Sequence, residues 1–459
     1  MQATAGRQAP EATADNRQLL YCGKGHNNAH NNKENVMKKK IVLFLMVLSL
    51  IAVLAACGKN NETKEPEATS TPAPTATSTP SPEPTATSTP SPSPTETPSP
   101  TPTSLPDPDG IYLKDIYAEH GLKVGTCLTT MMTGNATTAK FITEQFSSVT
   151  MENDMKPDYI LSESKSKETG ELTVEFNPNM ISMLNWAKAN GLSVRGHTLV
   201  WYSQTPQWIF YEDFDTSKSY VGRDEMLKRM ESMIKQMFEK LEEAGYADLF
   251  YAYDVVNEAW MEDGKMRSQM NPWYSIIGED YIWYAFYFAN KYAPEHIDLY
   301  YNDYNEQFKT NTLENFVKTL VDENGNYLID GIGFQAHLYT KDSLDDYFKT
   351  VDQLSKLGLK IQLTELDVCL GQYQLPQIAS PKTMSKQGIF YYNLINGLFE
   401  RIEAGTLKMD AITFWGFSDG MSWRKGYSPL LFDKNMKVKY AFYGAAQIKD
   451  MAGFDYVAE

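Results

Sequence analysis

Two glutamates in this 459-residue chain each follow a strand-like run: Glu258 after Tyr253-Asp254-Val255-Val256-Asn257, and Glu365 after Lys360-Ile361-Gln362-Leu363-Thr364. Two carboxyl groups with unequal proton affinities suit the cleavage of a glycosidic bond. One protonates the leaving oxygen and the other meets the positive charge that develops at the anomeric carbon. The pair lies 107 residues apart in the chain, so the fold must close on itself to bring them together. A single Glu after a strand is more often a structural ion-pair partner than a catalyst. Company is what lifts these two above that reading.

Eight short β-rich runs recur along the chain: Lys123–Leu128, Phe146–Met151, Ser193–Trp201, Phe250–Asn257, Ile297–Asn302, Gly331–His337, Lys360–Glu365 and Ala411–Trp415. Stretches with helical periodicity separate them. The clearest is Arg223–Ala244, where Met226, Leu227, Met230, Met233, Ile234, Met237, Phe238 and Leu241 mark one face. That methionine stripe reads as core packing. The alternation predicts an α/β fold, a (β/α)₈ TIM barrel, rather than an open doubly wound sheet; no Gly-rich dinucleotide fingerprint follows the first run. In such a barrel the chemistry sits at the C-terminal ends of the strands. Here those ends carry Glu152-Asn153, His197 with Trp201, Asn257-Glu258, Asn302-Asp303, Gln335 with His337, Glu365, and Trp415. Seven of eight runs ending in carboxylates, amides, imidazoles or indoles is hard to assign to packing.

The stretches Asp254-Val255-Val256-Asn257-Glu258-Ala259 and Thr364-Glu365-Leu366-Asp367 resemble the acid/base and nucleophile motifs of glycoside hydrolase family 10, the β-1,4-xylanases. So do Glu152 to Pro157, Gly196 to Trp201 with Gln204-Thr205-Pro206, Tyr301 to Asn305, Gly333 to His337, and Trp415 to Asp419 with Ser422-Trp423-Arg424. The resemblance runs from about residue 112 to 446, in the family's order. It implies a retaining double displacement in xylan, with Glu365 as nucleophile and Glu258 as acid/base. It implies that Asn257 donates to the sugar 2-hydroxyl, and that His337 and Asp367 orient the nucleophile. Glu152, Asn153, Lys156 and Gln204 match polar contacts to the sugar two units upstream. His197, Gln335, Trp415 and Trp423 match the wall around the cleaved unit, Trp201 is a further substrate-binding residue, and Tyr304 matches a stacking position for the leaving group. One departure stands out. Tyr202 follows Trp201 where many members carry His, which puts the hydrogen bonds beneath Glu152 and Lys156 in doubt.

The N-terminal quarter reads differently. Residues 1–36 are polar and aperiodic, and Met37 is the better start, so they are expected to be a spurious or disordered extension. Residues 37–57 carry three lysines, the apolar run Ile41–Ala56 and Leu54-Ala55-Ala56-Cys57. This pattern marks an export signal and resembles a bacterial lipoprotein signal with Cys57 as the lipidated residue; an uncleaved anchor is the alternative. Residues 58–109 are rich in Thr, Pro and Ser and hold 14 of the 23 prolines between Asn61 and Pro108. Such a segment buries little and is expected to be a disordered, semi-stiff linker. Residues 110–459 then form the single catalytic domain. The expected location is the outer face of a bacterial cytoplasmic membrane, with xylan and xylooligosaccharides as partners and a monomeric state. A net charge of −16 argues against nucleic acid. No metal or cofactor is expected, because His120 and His296 have no partner at ligand spacing. Cys127 and Cys369 could pair, although buried free thiols fit their scarcity better.

Overall fold

The computed structural model describes residue 105 and residues 108–448. The expectations placed on residues 1–57, Cys57 included, and on nearly all of 58–109 lie outside the described residues. Among the described residues eleven strands appear in chain order: β1 Lys123–Leu128, β2 Ser148–Met151, β3 Ser193–Trp201, β4 Phe250–Asn257, β5 Asp298–Asp303, β6 Gly331–Phe334, β7 His337–Tyr339, β8 Lys360–Cys369, β9 Gly371–Gln372, β10 Leu375–Pro376 and β11 Ala411–Phe414. β1 to β6, β8 and β11 pair in parallel, each with its neighbour; β11 also meets β1, which closes the cylinder. Helices lie between the strands, as the (β/α)₈ reading requires. β9 and β10 form a small hairpin beyond β8.

Two expected runs end more than one residue from where the sequence places them. The sixth breaks after Phe334, because Ala336 takes a left-handed backbone, φ +56°. The Gln335 N–H donates to the Asp303 carbonyl of β5, whereas His337 shifts across to pair with Asp367 of β8. The seventh run continues past Glu365 to Cys369, so Glu365 lies inside β8 rather than at its end. Glu365 and Asp367, two positions apart on one strand, therefore share a face.

The helix Arg223–Glu243 buries Met226, Met230, Met233, Ile234, Met237, Phe238 and Leu241; Leu227 is only partly covered. Its Arg229 is buried as well. The guanidinium donates to the Ile209 and Tyr211 carbonyls at 2.7 and 2.9 Å, satisfying a loop that enters the helix layer. Pro381–Glu403 begins with a capping box between Ser380 and Thr383 and has Pro381 in its first turn, where the missing N–H costs nothing.

The barrel interior is not purely apolar. Arg195 of β3, 1% exposed, forms a two-pronged ion pair with fully buried Asp254 of β4 and donates to Gln362 Oε1 of β8 at 2.8 Å. Beside the large apolar core, three strands are tied by one guanidinium. Removing one partner would strand a buried charge. Asp254→Ala is expected to cost about 3–5 kcal/mol in denaturant unfolding; a loss below about 1 kcal/mol would show that solvent reaches this layer. Cys127 and Cys369 are buried and free.

Candidate active site

The strand register places the chemistry in one layer. Trp201 of β3 stands opposite Asn257 of β4, Asn257 opposite Asn302 of β5, and Asn302 opposite Gly333 of β6. Gly333 is there because a Cβ would lie 2.6 Å from Asn302 Oδ1 and 2.9 Å from Thr364 Cγ2. A side chain at Gly333 would push Asn302 out of place.

Immediately after β4, Glu258 adopts a left-handed backbone, φ +56°, with its N–H donating to the Asn302 carbonyl at 2.9 Å. That turn aims its carboxyl back over the barrel mouth. Gln335 Nε2 donates to Glu258 Oε1 at 3.1 Å, and Asn257 Nδ2 approaches the same oxygen at 3.3 Å. Across the mouth, Glu365 Oε1 accepts from Asn302 Nδ2 at 2.8 Å. The amides between them are oriented by elimination. An ionised Glu365 only accepts, so Asn302 must present its NH₂, which also reaches Asn257 Oδ1 at 3.0 Å. Gln335 Nε2 reaches that same Asn257 oxygen at 3.3 Å. The Asn257 NH₂ is thereby left facing Glu258. A chain of three amides thus links the two carboxyl groups; the sequence marks Asn302 as a polar strand end without giving it a role. Its register position opposite Asn257 is the signal that could have found it.

The pKa values of the two acids are shifted in opposite directions. Burial pushes the Glu258 pKa upward; the Gln335 hydrogen bond opposes this, and the charges of Asp303 and Glu365 add to it. Burial also acts on Glu365. There the His337 hydrogen bond, the charges of His197 and His337 and the Asn302 contact outweigh it, bringing the carboxyl down to about 2. His337 lies between Glu365 Oε2, 3.3 Å from Nε2, and Asp367 Oδ2, 3.2 Å from Nδ1. Burial disfavours its charge, but Asp367 and then Glu365 overcome that and raise the ring to about 10. Arg424 pairs with the other Asp367 oxygen. Carboxylates and cations thus alternate as Glu365, His337, Asp367 and Arg424; the sequence marks Arg424 only as part of a motif.

Asn153, Lys156 and Gln204 form one polar cluster. Lys156 Nζ donates to Gln204 Oε1 at 2.8 Å and to Asn153 Oδ1 at 3.2 Å, while Gln204 Nε2 donates to Asn153 Oδ1 at 3.1 Å. Lys156 Nζ also sits 5.1 Å above the Trp201 ring. Glu152 lies on the same turn, its N–H donating to the Leu128 carbonyl. Its pKa is raised by burial against the pull of Lys156. His197, 2% exposed, contacts Asp254 Oδ2 through Nδ1 at 2.8 Å. The buried Arg195–Asp254 pair therefore fixes the ring that packs edge-on to Trp415, centroids 5.6 Å apart. Trp423, 58% exposed, packs beside His337 at 5.1 Å.

Tyr304 accepts from Arg267 at 3.0 Å and lies beneath Lys309, 4.4 Å from its ring centre. Tyr202 corrects the sequence expectation. Its ring packs under the Arg267 guanidinium at 4.1 Å, and Arg267 Nε donates to the Glu258 carbonyl. Burial, then the Glu258 charge, pushes the Tyr202 phenol up to about 12. Tyr202 thus belongs to the Glu258–Tyr304 side rather than beneath Glu152 and Lys156. Among the described residues no group of three or more His, Cys, Asp or Glu side chains is arranged to hold a metal ion.

Residues 112–448 match the sequence profile described as glycosyl hydrolase family 10. Endo-1,4-beta-xylanase Y of Acetivibrio thermocellus is 34% identical over 358 residues, which is 73% of this chain and 32% of that protein. This chain therefore spans about a third of that relative's length. Among solved structures, an endo-1,4-beta-xylanase of Caldicellulosiruptor owensensis superposes with a TM-score of 0.63 at 32% identity, covering 73% of this chain and 99% of that one. The CBM22-1–GH10 modules of Clostridium thermocellum endo-1,4-beta-D-xylanase 10B, complexed with xylohexaose, give 0.66 at 32% identity, over 74% and 68% of the respective chains.

Proposed function

The chain belongs to glycosyl hydrolase family 10, and from that premise we propose that it cleaves β-1,4-xylosidic bonds within xylan, with retention, through Glu365 and Glu258. The observation that supports this most is the opposed pKa shifts of two carboxyls facing one barrel mouth, one raised by burial and one held near 2. In the first step a Glu365 oxygen attacks the anomeric carbon as the bond to the leaving oxygen breaks and Glu258 transfers its proton to that oxygen. In the second, Glu258, now a carboxylate, takes a proton from water, which attacks the same carbon and expels Glu365. The positive charge on His337 keeps Glu365 ionised before attack. The Asn257 NH₂, oriented by Asn302 and Gln335, is positioned to donate to a sugar 2-hydroxyl, a contact that strengthens toward the transition state.

Asn153, Lys156, Gln204 and Glu152 supply the upstream polar subsite, and His197, Trp201, Gln335 and Trp415 line the cleaved unit. Xylose lacks the hydroxymethyl group of glucose, so the Trp423 indole favours xylan over cellulose by exclusion. The test is a timed product analysis on glucuronoxylan, arabinoxylan and xylooligosaccharides. Internal cleavage predicts an early spread of intermediate-length products from polymer. Release of short products alone, with oligosaccharides consumed far faster than polymer, would overturn the endo reading.

A further inference from the structure

Glu306 is fully buried, and neither carboxyl oxygen meets a donor in full hydrogen-bonding geometry among the described residues. It begins the short turn Glu306–Phe308 that follows β5. The groups that face it are Asp303 from β5, Lys309 from its own segment, Tyr347 from the helix Leu344–Ser355, and the backbone amide of Ala336. One cation thus serves two carboxyls. Asp303 has the direct claim, 2.7 Å from Lys309 Nζ, which also donates to the Trp260 carbonyl at 2.9 Å. Glu306 is therefore the member that keeps its proton, burial pushing its pKa to about 8.

Ala336, which Glu306 faces, is the left-handed residue that breaks β6 from β7. Its carbonyl accepts from Leu338 at 3.0 Å and from Asp367 at 3.3 Å. The residue before it, Gln335, donates to Glu258, and the residue after it, His337, contacts Glu365. One turn thus sets a contact to each carboxyl of the pair. Resting on the function proposed above, we propose that Glu306 is a positioning residue: its carboxyl seats the Ala336 turn, and the turn sets Gln335 against Glu258 and His337 against Glu365.

The sign of the proton linkage follows. A carboxyl whose folded pKa rises from 4.5 to about 8 binds more protons folded than unfolded across that window. Its share of stability is complete below the lower value and falls as pH rises toward the upper one. The test compares Glu306→Gln and Glu306→Leu in the full chain, with kcat and KM on xylohexaose and denaturant stability, both from about pH 5 to 9. Glutamine, neutral and of the same shape, is expected to keep kcat within about threefold at neutral pH and to lose the one-proton fall in stability. Leucine fills the space without a polar head. It is expected to lower kcat about tenfold or more while KM, set by Asn153, Lys156 and Gln204, changes less than about threefold. A leucine variant with unchanged kcat, a glutamine variant that does not fold, or parallel stability–pH curves for glutamine and wild type would overturn the proposal. If leucine does not fold, the glutamine curve decides. A wild type that leaves xylohexaose intact would instead sink the proposed function.

Discussion

Glu365→Ala is expected to lower kcat by about 10⁴-fold or more on every xyloside, including those with activated leaving groups. In the proposed mechanism the loss is indiscriminate because Glu365 attacks carbon, and no leaving group substitutes for an absent nucleophile. Structure predicts little collateral damage. The alanine leaves β8 intact, since its ladder is backbone, and His337 keeps its contact to Asp367, with Arg424 behind it. A small anion such as azide, admitted to the vacated space, should restore turnover and give a glycosyl azide of inverted configuration. Loss of less than about 100-fold, in a variant whose unfolding matches wild type, would remove Glu365 from its assigned role.

Glu258→Ala should behave differently, and the contrast matters more than either number. Loss of a general acid costs about 10²–10⁴-fold when the leaving group is a sugar alcohol, and far less when it is an acidic phenol that departs without help. The second step then slows for want of a base. The pH dependence carries the same signature. In the proposed mechanism Glu258 starts protonated, and its pKa is raised, so kcat/KM is expected to hold below that value and to fall as pH rises through it. Glu365, at about 2, stays ionised throughout the range of stable protein and adds no limb there. Glu258→Gln should abolish the alkaline limb. A limb that survives unchanged would assign it to another group.

Why the barrel was legible in the chain is plain from its runs. β1, β3 and β4 begin and end where alternation between apolar runs and helical stretches places them. Residues that end a strand on a polar side chain were equally visible, because nothing in packing asks for Asn257-Glu258 or Glu152-Asn153 at such positions. Local backbone geometry was not visible. The Ala336 turn depends on Gln335 bonding to β5 while His337 bonds to β8, a competition between two distant strands that no local pattern records. The same holds for Asn302 and Arg424. Each finds its partner, Glu365 or Asp367, only once the barrel closes. Tyr202 was misplaced for a related reason: its neighbour Arg267 lies in a loop 65 residues on, and only the closed mouth brings them together.

The central claim, retention through a covalent intermediate on Glu365, is tested most directly by the anomeric configuration of the first product. Proton NMR of xylohexaose hydrolysis, recorded within the first turnovers, should show the β-anomer at the new reducing end, with the α-anomer growing in only by mutarotation. That outcome requires carboxyl groups about 5–5.5 Å apart, too close to admit a water between nucleophile and sugar. An initial α-anomer would mean inversion, a separation of about 6.5–9.5 Å, and Glu365 acting as a base for water rather than as the attacking group.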